Sequence, residues 1–297
     1  MIDIDLHLHT NYSDGTENPG ELVERAWREG LRTIAVTDHD GIGGLQEAAC
    51  AAQALGIRVI PGLEFSVELL SGDLPEGPEL HTMHILGYGI DPRSRPLLDK
   101  MEEILRNRAE RNARLCRAFR EKGIDIRPEE LTAGSPGGFA GKRTFAALFL
   151  EKGLAESMEE AFTSERLMDD PLIRSIHKEK TSAGEAIRII GQAGGKAFLA
   201  HPFQLGYPSL ILDPSGFRSR LASIVRELSS LGLDGLECYY PTHDQGMTDF
   251  LLDLADRNGL LVSVGSDDHG PHARKIKKIH ALQTEVDLGR LDWIDKL

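Results

Sequence analysis

The sequence is poor in cysteine: Cys50, Cys116 and Cys238 stand far apart among 297 residues and form no paired motif. This spacing argues against a disulfide framework and against a thiolate metal site, and it suits a reducing compartment. Apolar runs of membrane-spanning length are absent, and the first residues include acids but no basic segment of the kind that opens a signal peptide. We therefore expect a cytoplasmic protein with no membrane partner.

Positive charge is also scarce, because 34 Lys and Arg face 47 Asp and Glu, for a net charge of -13. An acidic surface repels long nucleic acid, whose binding rests largely on neutralising phosphates, so no long nucleic-acid partner is expected. A small phosphorylated ligand remains compatible with this charge, since bound metal ions can supply local positive potential. The length allows one large domain or two ordinary ones.

Strand patterns and helix patterns alternate along most of the chain. The predicted strands are residues 2–9, 32–38, 58–65, 82–88, 195–201, 233–240 and 259–267. The predicted helices between them cover 19–29, 44–55, 182–193, 215–231 and 242–258. This alternation predicts an α/β fold with parallel strands, either a doubly wound sheet or a barrel. The piece after His280 is predicted to add an edge strand.

Residues 92–180 interrupt the alternation. They contain a long helical pattern over 94–122, a Gly- and Pro-rich turn over 133–142 and further helix, with no convincing strand. We interpret them as a helical insertion domain that caps the substrate site. The predicted barrel domain then comprises residues 1–91 and 181–297.

Two histidines lie on one face of the first predicted strand. Side chains alternate along a strand, which puts Ile2, Ile4, Leu6 and Leu8 on one face and Asp3, Asp5, His7 and His9 on the other. Residues two apart on one face are separated by about 7 Å, so His7 and His9 could bind one ion. The alternative is an exposed polar face of an edge strand.

Further ligand-type side chains lie at or near the ends of other predicted strands. They are His39, Glu64, His84, His201, Asp267 and His269. Parallel α/β folds place their active sites at the carboxyl edge of the sheet, so this distribution favours one shared site. Imidazole and carboxylate without thiolate suit zinc, manganese or iron, and this many ligands suit two or three ions. His81 is left out, because it falls on the opposite strand face from His84.

Six motifs resemble those of the PHP (polymerase and histidinol phosphatase) family of metal-dependent phosphoesterases. They are DLHLHTNYSDGT, AVTDHDGIGG, IPGLEFS, HILGYGID, AHP and GSDDHG, and they occur in the family's order over nearly the whole chain. The resemblance implies a distorted seven-stranded β/α barrel. The GSDDHG ending and the helical insertion are most similar to the stand-alone bacterial branch, which includes phosphatases of nucleoside 3′,5′-bisphosphates and enzymes acting on short RNA 5′ ends.

The resemblance also implies a three-ion site. His7, His9, Glu64 and Asp267 would bind the first ion, Asp14, His39 and His269 the second, and Glu64, His84 and His201 the third. Other family members have His where this chain has Asp14, so this chain departs from the family at the second ion. The implied cofactors are two or three divalent ions of manganese, iron or zinc.

The long insertion helix carries polar residues on an apolar stripe. Arg108 and Asn112 interrupt this stripe, and Arg111 is adjacent. Such residues either extend to solvent or line a cleft, and arginine matches phosphate oxygens geometrically. Residues 93–125 hold ten Lys and Arg against six Asp and Glu, so we predict substrate contacts here. A solvated amphipathic helix would show the same pattern.

Two further residues are candidates for substrate binding. Arg143 lies where family relatives often show an Arg-Pro-His-like motif, but here Thr144 and Phe145 follow it. His243, just after the sixth predicted strand, is a candidate substrate contact or proton donor, the alternative being a capping or surface histidine. The other histidines, His177, His272 and His280, are interpreted as structural or solvated.

The foremost hypothesis is hydrolysis of the 3′-phosphate of a nucleoside 3′,5′-bisphosphate by a metal-bridging hydroxide. The alternatives are a histidinol-phosphate phosphatase, a 5′→3′ exonuclease on short oligonucleotides and a non-catalytic module that binds metal or nucleotide. A metal-dependent amidohydrolase fits the ligand chemistry alone, but the chain shows no barrel-strand lysine motif. The sequence does not specify the oligomeric state.

Overall fold

Strand and helix alternate at the start of the chain as the sequence pattern predicts. The computed structural model describes residues 2–68, 83–205, 213–271 and 281–297. Its first elements are β1 (Ile4–Leu8), α1 (Pro19–Arg28), β2 (Thr33–Val36), α2 (Leu45–Leu55) and β3 (Arg58–Glu68). Asn18 and Glu21 cap the start of α1 reciprocally, and Gly56 ends α2 in the left-handed conformation. These three strands are parallel where they pair.

The fourth strand, β4 (Met83–Tyr88), runs antiparallel to both of its neighbours, which corrects the expectation of an all-parallel sheet. Parallel strands need a crossover connection, usually a helix, and the Gly- and Pro-containing sequence before β4 has no helical pattern. The elements that follow the insertion are β5 (Thr181–Ser182), α8 (Ala183–Gln192), β6 (Lys196–Leu199), α9 (Pro214–Ser230), β7 (Gly235–Tyr239), α10 (Gln245–Asn258) and β8 (Leu261–Val264).

The sheet curls until its two ends meet. Its strand order is β1-β2-β3-β4-β6-β7-β8, and Leu8 forms a bridge to Asp268, just beyond β8. The predicted distorted barrel of seven strands is therefore confirmed. The two-residue strand β5 was not predicted, and it pairs with the far end of β3 outside this order.

The helical insertion contains α3 (Arg95–Glu121), α4 (Pro128–Thr132), α5 (Lys142–Glu151), α6 (Met158–Thr163) and α7 (Pro171–Ser175). Its long helix α3 belongs to two apolar cores. Leu97 and Ile104 pack in the barrel core, whereas Leu115 and Phe119 pack with Phe149 in a second core. A polar stretch of α3 therefore lies between the two cores. The division into a barrel and an insertion of residues 92–180 stays a prediction.

The C-terminal segment forms a 3₁₀ helix over Leu288–Lys296, so the prediction of an edge strand here was wrong. Trp293 donates its indole N–H to the carbonyl oxygen of Val262 at 2.8 Å, and its ring lies 4.8 Å from that of Phe198. The indole is buried against the barrel, where its ring packs and its N–H has an acceptor. Among the described residues, no helix combines the length and the apolar character needed to cross a membrane.

Candidate metal centre

Glu64 of β3 lies at the centre of the ligand-type side chains and is fully buried. Its Oε1 atom is 2.9 Å from Nδ1 of His84 and 3.1 Å from Nε2 of His201. Its Oε2 atom is 2.8 Å from Nδ1 of His39. His84 opens a strand that runs antiparallel to β3, and this direction brings it to the same edge as the carboxyl ends of the parallel strands. One carboxylate thus contacts side chains from three other strands or their ends.

The histidines of β1 converge with a second carboxylate. Nε2 of His7 lies 3.4 Å from Oε2 of Glu64 and 3.7 Å from Oδ1 of Asp267. His9 lies 3.4 Å and 3.2 Å from the same two oxygens. Both rings are fully buried, which excludes the exposed polar face considered for this strand. Asp267 adopts a positive φ of 55°, and the hydroxyl of Tyr240 donates to its Oδ2 atom at 2.8 Å.

Asp14 lies at the outer side of the centre. Its Oδ1 atom is 3.1 Å from Nε2 of His269 and 3.7 Å from Nε2 of His39. The rings of His9 and His269 stack at 4.2 Å between centroids. The position of Asp14 is thus within reach of the histidines with which it was predicted to share an ion.

In the described ranges, three groups of side chains bring ligand atoms within 4.8 Å of one another. They are His7, His9, Glu64 and Asp267; His9, Asp14, His39 and His269; and His39, Glu64 and His84. The first group equals the set predicted for the first ion, and the second adds His9 to the set predicted for the second. The third group has His39 where His201 was predicted, although His201 also contacts Glu64.

The donor set fits divalent metal ions. Several buried ligand atoms have no hydrogen-bond partner among the residues that the structure describes: Nε2 of His7, both ring nitrogens of His9, Nδ1 of His39, Oε2 of Glu64, Oδ1 of Asp14 and Nε2 of His269. Buried polar atoms normally have a partner, because leaving one unpaired costs about 1–3 kcal/mol. Unpaired nitrogens and carboxylate oxygens that face one another at 2.8–3.7 Å are explained by cations between them.

The ionisation of the centre follows from crowding of opposite charges. Burial opposes the charge on Glu64, but His39, His84 and His7 outweigh it and hold the pKa of this carboxyl well below its usual range. Burial likewise opposes charge on His39, yet Glu64 and Asp14 raise its pKa to about 9. His9 differs: burial and then the neighbouring His269 and His39 lower its pKa to about 3. His9 is therefore a neutral imidazole, the form that binds metal.

A second layer of carboxylates supports the ligands, and the sequence analysis missed it. Glu237 of β7 lies with Oε1 2.9 Å from Nδ1 of His7 and accepts the backbone N–H of His201 on Oε2 at 2.7 Å. Asp38 accepts hydrogen bonds from the side chains of Thr10 and Ser13. Glu237 is the one charged residue of the run 235–240 (GLECYY), and this is the sequence feature that could have identified it.

The insertion places its predicted polar residues beside the centre. Arg108, Arg111 and Asn112 are all buried, and Arg111 and Asn112 donate to the carbonyl oxygen of Ala140 at 3.1 Å. The guanidinium of Arg108 lies 4.0 Å from the ring centroid of Phe139, and that ring stacks 6.5 Å from His39. Snorkelling to solvent is thereby excluded for these side chains. Within the described part of the chain, no hydrogen-bond partner contacts Arg108 Nε, Arg111 Nε or Asn112 Oδ1.

The remaining predicted residues lie at different depths. Arg143 is 44% exposed, with Nη1 3.6 Å from Oδ2 of Asp14. His243 is fully buried, and its Nδ1–H donates to the carbonyl oxygen of Cys238 at 3.0 Å. Its Nε2 atom has no hydrogen-bond partner in the ranges that the structure describes. Burial lowers the pKa of His243. His177 is exposed, as expected of a solvated residue. His81, His272 and His280 lie outside the described residues.

Curated relatives match nearly the whole chain. A 3′,5′-nucleoside bisphosphate phosphatase of Chromobacterium violaceum is 32% identical over 91% of this chain and 88% of its own. A 5′-3′ exoribonuclease of Haemophilus influenzae is 28% identical and covers 90% of each chain. Both alignments extend across the insertion as well as the barrel.

Solved structures match equally broadly. An amidohydrolase of C. violaceum with bound sulfate and no metal superposes with a TM-score of 0.75 at 29% identity, covering 91% of this chain and 89% of its own. A Bifidobacterium adolescentis protein described as a metal-dependent phosphoesterase superposes with a TM-score of 0.72 at 25% identity, covering 94% and 93%. The PHP domain family matches residues 5–183. The chain therefore belongs to the PHP family and is a metal-dependent phosphoesterase.

Proposed function

We propose that this protein hydrolyses a small phosphorylated substrate, foremost the 3′-phosphate of a nucleoside 3′,5′-bisphosphate, using two or three divalent ions of manganese, iron or zinc. The observation that carries this proposal is the convergence of unpaired histidine nitrogens and carboxylate oxygens around Glu64, beside buried arginines of the insertion. The C. violaceum phosphatase, at 32% identity, supports the choice of substrate.

The metal-binding residues would be His7, His9, Asp14, His39, Glu64, His84, His201, Asp267 and His269. Divalent ions held there supply a low-pKa water and offset negative charge on phosphoryl oxygens. Glu64 keeps its negative charge through its histidine neighbours, and it can therefore join the ligand groups of β1 and β4. Glu237 holds the Nδ1–H of His7, which leaves Nε2 as the ligand atom.

Arginines of the insertion would bind the phosphates. Arg143 is the exposed member beside Asp14, so we assign it to the phosphate at the metal centre. Arg108 and Arg111 are buried at the junction with the second core, where they suit a second phosphate; Asn112 lies beside them. A guanidinium donates to two phosphate oxygens at once, which orients the ester as well as attracting it.

His243 is better suited to binding a substrate hydroxyl than to donating a proton to the leaving oxygen. Its Nδ1–H is already donated to the carbonyl oxygen of Cys238, and burial keeps Nε2 unprotonated. Nε2 can therefore accept a hydrogen bond from a substrate hydroxyl. Donation to the leaving oxygen would first require protonation of a ring whose pKa is lowered.

A 5′→3′ exoribonuclease acting on short oligonucleotides is the second candidate. The H. influenzae exoribonuclease is 28% identical over 90% of this chain, insertion included. The same ligand set serves both reactions, because each is an in-line displacement at phosphorus. In both functions the phosphate on the 3′ oxygen of the first nucleotide would be placed at the metal centre; they differ in whether that phosphate is a monoester or a diester to a second nucleotide.

The test is a substrate panel with manganese added: adenosine 3′,5′-bisphosphate, 5′-phosphorylated dinucleotide and histidinol phosphate. We expect preference for the bisphosphate, and loss of at least about 10³-fold in turnover in His7→Ala and Glu64→Ala. Asp253→Asn, which changes an exposed ion pair of α10, is the control and should be unaffected. Retained turnover in both site variants would refute the proposal.

A further inference from the structure

The junction between the two apolar cores concentrates positive charge in a poorly solvated space. Arg108, on α3, is buried between the residues that pack in the barrel and those that pack in the second core. Lys178 reaches the same place from the segment after α7, with its side chain 14% exposed. Burial lowers the pKa of Lys178. Among its charged neighbours, Asp40 raises this pKa, whereas Arg108 and Arg111 lower it. Two cations held together in such a space need a counter-charge.

The counter-charge comes from the barrel. Asp40 is 2% exposed, and its Oδ2 atom accepts hydrogen bonds from Nη2 of Arg108 and, at 2.7 Å, from Nζ of Lys178. Its Oδ1 atom accepts the backbone N–H of Ser66 in β3 at 2.9 Å. One carboxylate thus links β3 to two separate segments of the insertion.

The backbone at Asp40 also ties this link to the metal centre. Asp40 adopts a positive φ of 50°, and its N–H donates to the carbonyl oxygen of Glu64 at 2.9 Å. The preceding residue, His39, faces the carboxylate of Glu64. A single turn therefore presents one side chain to the centre and the next to the insertion. Asp and Asn are the residues that tolerate this left-handed conformation best after glycine.

We propose that Asp40 is a positioning residue, which holds Arg108 and Lys178 at the edge of the metal centre and thereby sets the second phosphate's binding site. The three side chains carry a net charge of one positive unit, so the assembled group still attracts an anion. Without the carboxylate, two buried cations would repel each other and move toward solvent. Helix α3 would then lose one of its polar attachments to the barrel, the ion pair of Lys100 with Glu185 of α8 being another. This assignment of Asp40 rests on the proposed function only in the KM measurement below, which uses adenosine 3′,5′-bisphosphate as the substrate.

Asp40→Asn tests this assignment, because asparagine keeps the shape and the backbone conformation and removes only the charge. We expect hydrogen exchange in the part of α3 after Arg108 to accelerate by at least about tenfold. We also expect KM for adenosine 3′,5′-bisphosphate to rise by at least about tenfold, with kcat changed less than about threefold and manganese content unchanged. In the double variant Asp40→Asn with Lys178→Met, hydrogen exchange and KM should rise no further than in the more affected single variant, because both substitutions break the same link.

Asp99→Asn is the matched control, since it removes an exposed carboxylate paired with Arg95 on the same helix; it should change neither quantity. Unchanged hydrogen exchange in Asp40→Asn would overturn the proposal, and so would loss of manganese, which would assign Asp40 to the centre itself. The exchange measurement needs no substrate. It therefore tests Asp40 even if the wild-type protein leaves the bisphosphate intact, an outcome that would refute the proposed function alone.

Discussion

At the scale of single residues, Glu237 contacts two histidines that belong to different predicted ions. It holds the ring of His7 through Nδ1 and the backbone of His201 through its N–H. His201 has a positive φ of 29°, a conformation that a non-glycine residue keeps only when its surroundings fix it. The orientation of one ligand and the backbone of another therefore depend on one buried carboxylate.

Replacing this carboxylate by an amide should weaken metal binding more than it weakens the fold. We expect Glu237→Gln to lower manganese affinity by about 10- to 100-fold, the usual effect of removing a carboxylate behind a metal-binding histidine. Titration of the metal-free protein with manganese measures it. Asp256→Asn, an exposed carboxylate of α10 paired with Arg290, is the control. Equal affinities in Glu237→Gln and wild type would show that His7 keeps its orientation without Glu237.

The sequence predicted the candidate metal ligands better than it predicted the residues that position them. Eight of the nine candidate ligands were visible in the sequence because histidine and carboxylate recur at or near strand ends, whereas Asp14 came from the family resemblance. The structure brings the other eight side chains close to Glu64 or to one another. Glu237 and Lys178 were missed for a physical reason. Each acts by contacting a residue distant in sequence, His7 or Asp40, and no local spacing records such a contact.

At the scale of secondary-structure elements, helix α3 contributes apolar residues to both cores, which have no buried residue in common in the part of the chain that the structure describes. Phe149 of α5 packs against Phe119 of α3 at 5.2 Å between ring centroids, inside the second core. Its replacement should therefore disturb the insertion and leave the barrel core intact. Phe198, which contacts Tyr88 and Trp293, is the corresponding side chain in the barrel.

We expect Phe149→Ala to destabilise the protein by about 3–5 kcal/mol, because it leaves a cavity in the smaller core. Manganese content should stay near that of wild type, while KM for the bisphosphate rises. Phe198→Ala, the control, should reduce manganese content together with stability. Thermal unfolding and metal analysis of the two variants distinguish these outcomes; parallel loss of metal in both would mean that the two cores unfold as one unit.

Element order was predictable where the pattern of the chain is local. The alternating strands and the helices ended by glycine follow from spacing and capping, as at Gly56 and Gly259. The direction of β4 was not predictable, because the residues of a strand do not determine whether it pairs parallel or antiparallel with its neighbours. The C-terminal 3₁₀ helix likewise depends on a partner, because Trp293 is held by Val262 and by the ring of Phe198.

At the scale of the whole molecule, the metal ions should contribute to stability. The centre gathers carboxylates and histidines whose buried atoms lack partners, so ion binding to the folded state should raise the free energy of unfolding. At a manganese concentration of about 100 times Kd the expected gain is about 2.7 kcal/mol per site. Thermal unfolding with and without manganese measures it. Glu64→Gln, which removes the shared carboxylate, should abolish most of the shift; a full shift in this variant would contradict the role of Glu64.

The distribution of charge over the whole molecule sets the size of substrate that it can use. The net charge of -13 opposes a long polyanion, whereas the cations at the junction of α3 act only over a short distance. We therefore expect kcat/KM for 5′-phosphorylated oligoribonucleotides to fall steadily from two to twenty nucleotides at low salt. Raising the salt should reduce the difference, because screening weakens repulsion of the distal phosphates more than it weakens contacts at the centre. Neutralising exposed acids of α10, as in Asp249→Asn with Asp253→Asn, should raise kcat/KM for the long substrates and leave that for the dinucleotide unchanged. A rate independent of length would show that the long strand never meets the acidic surface.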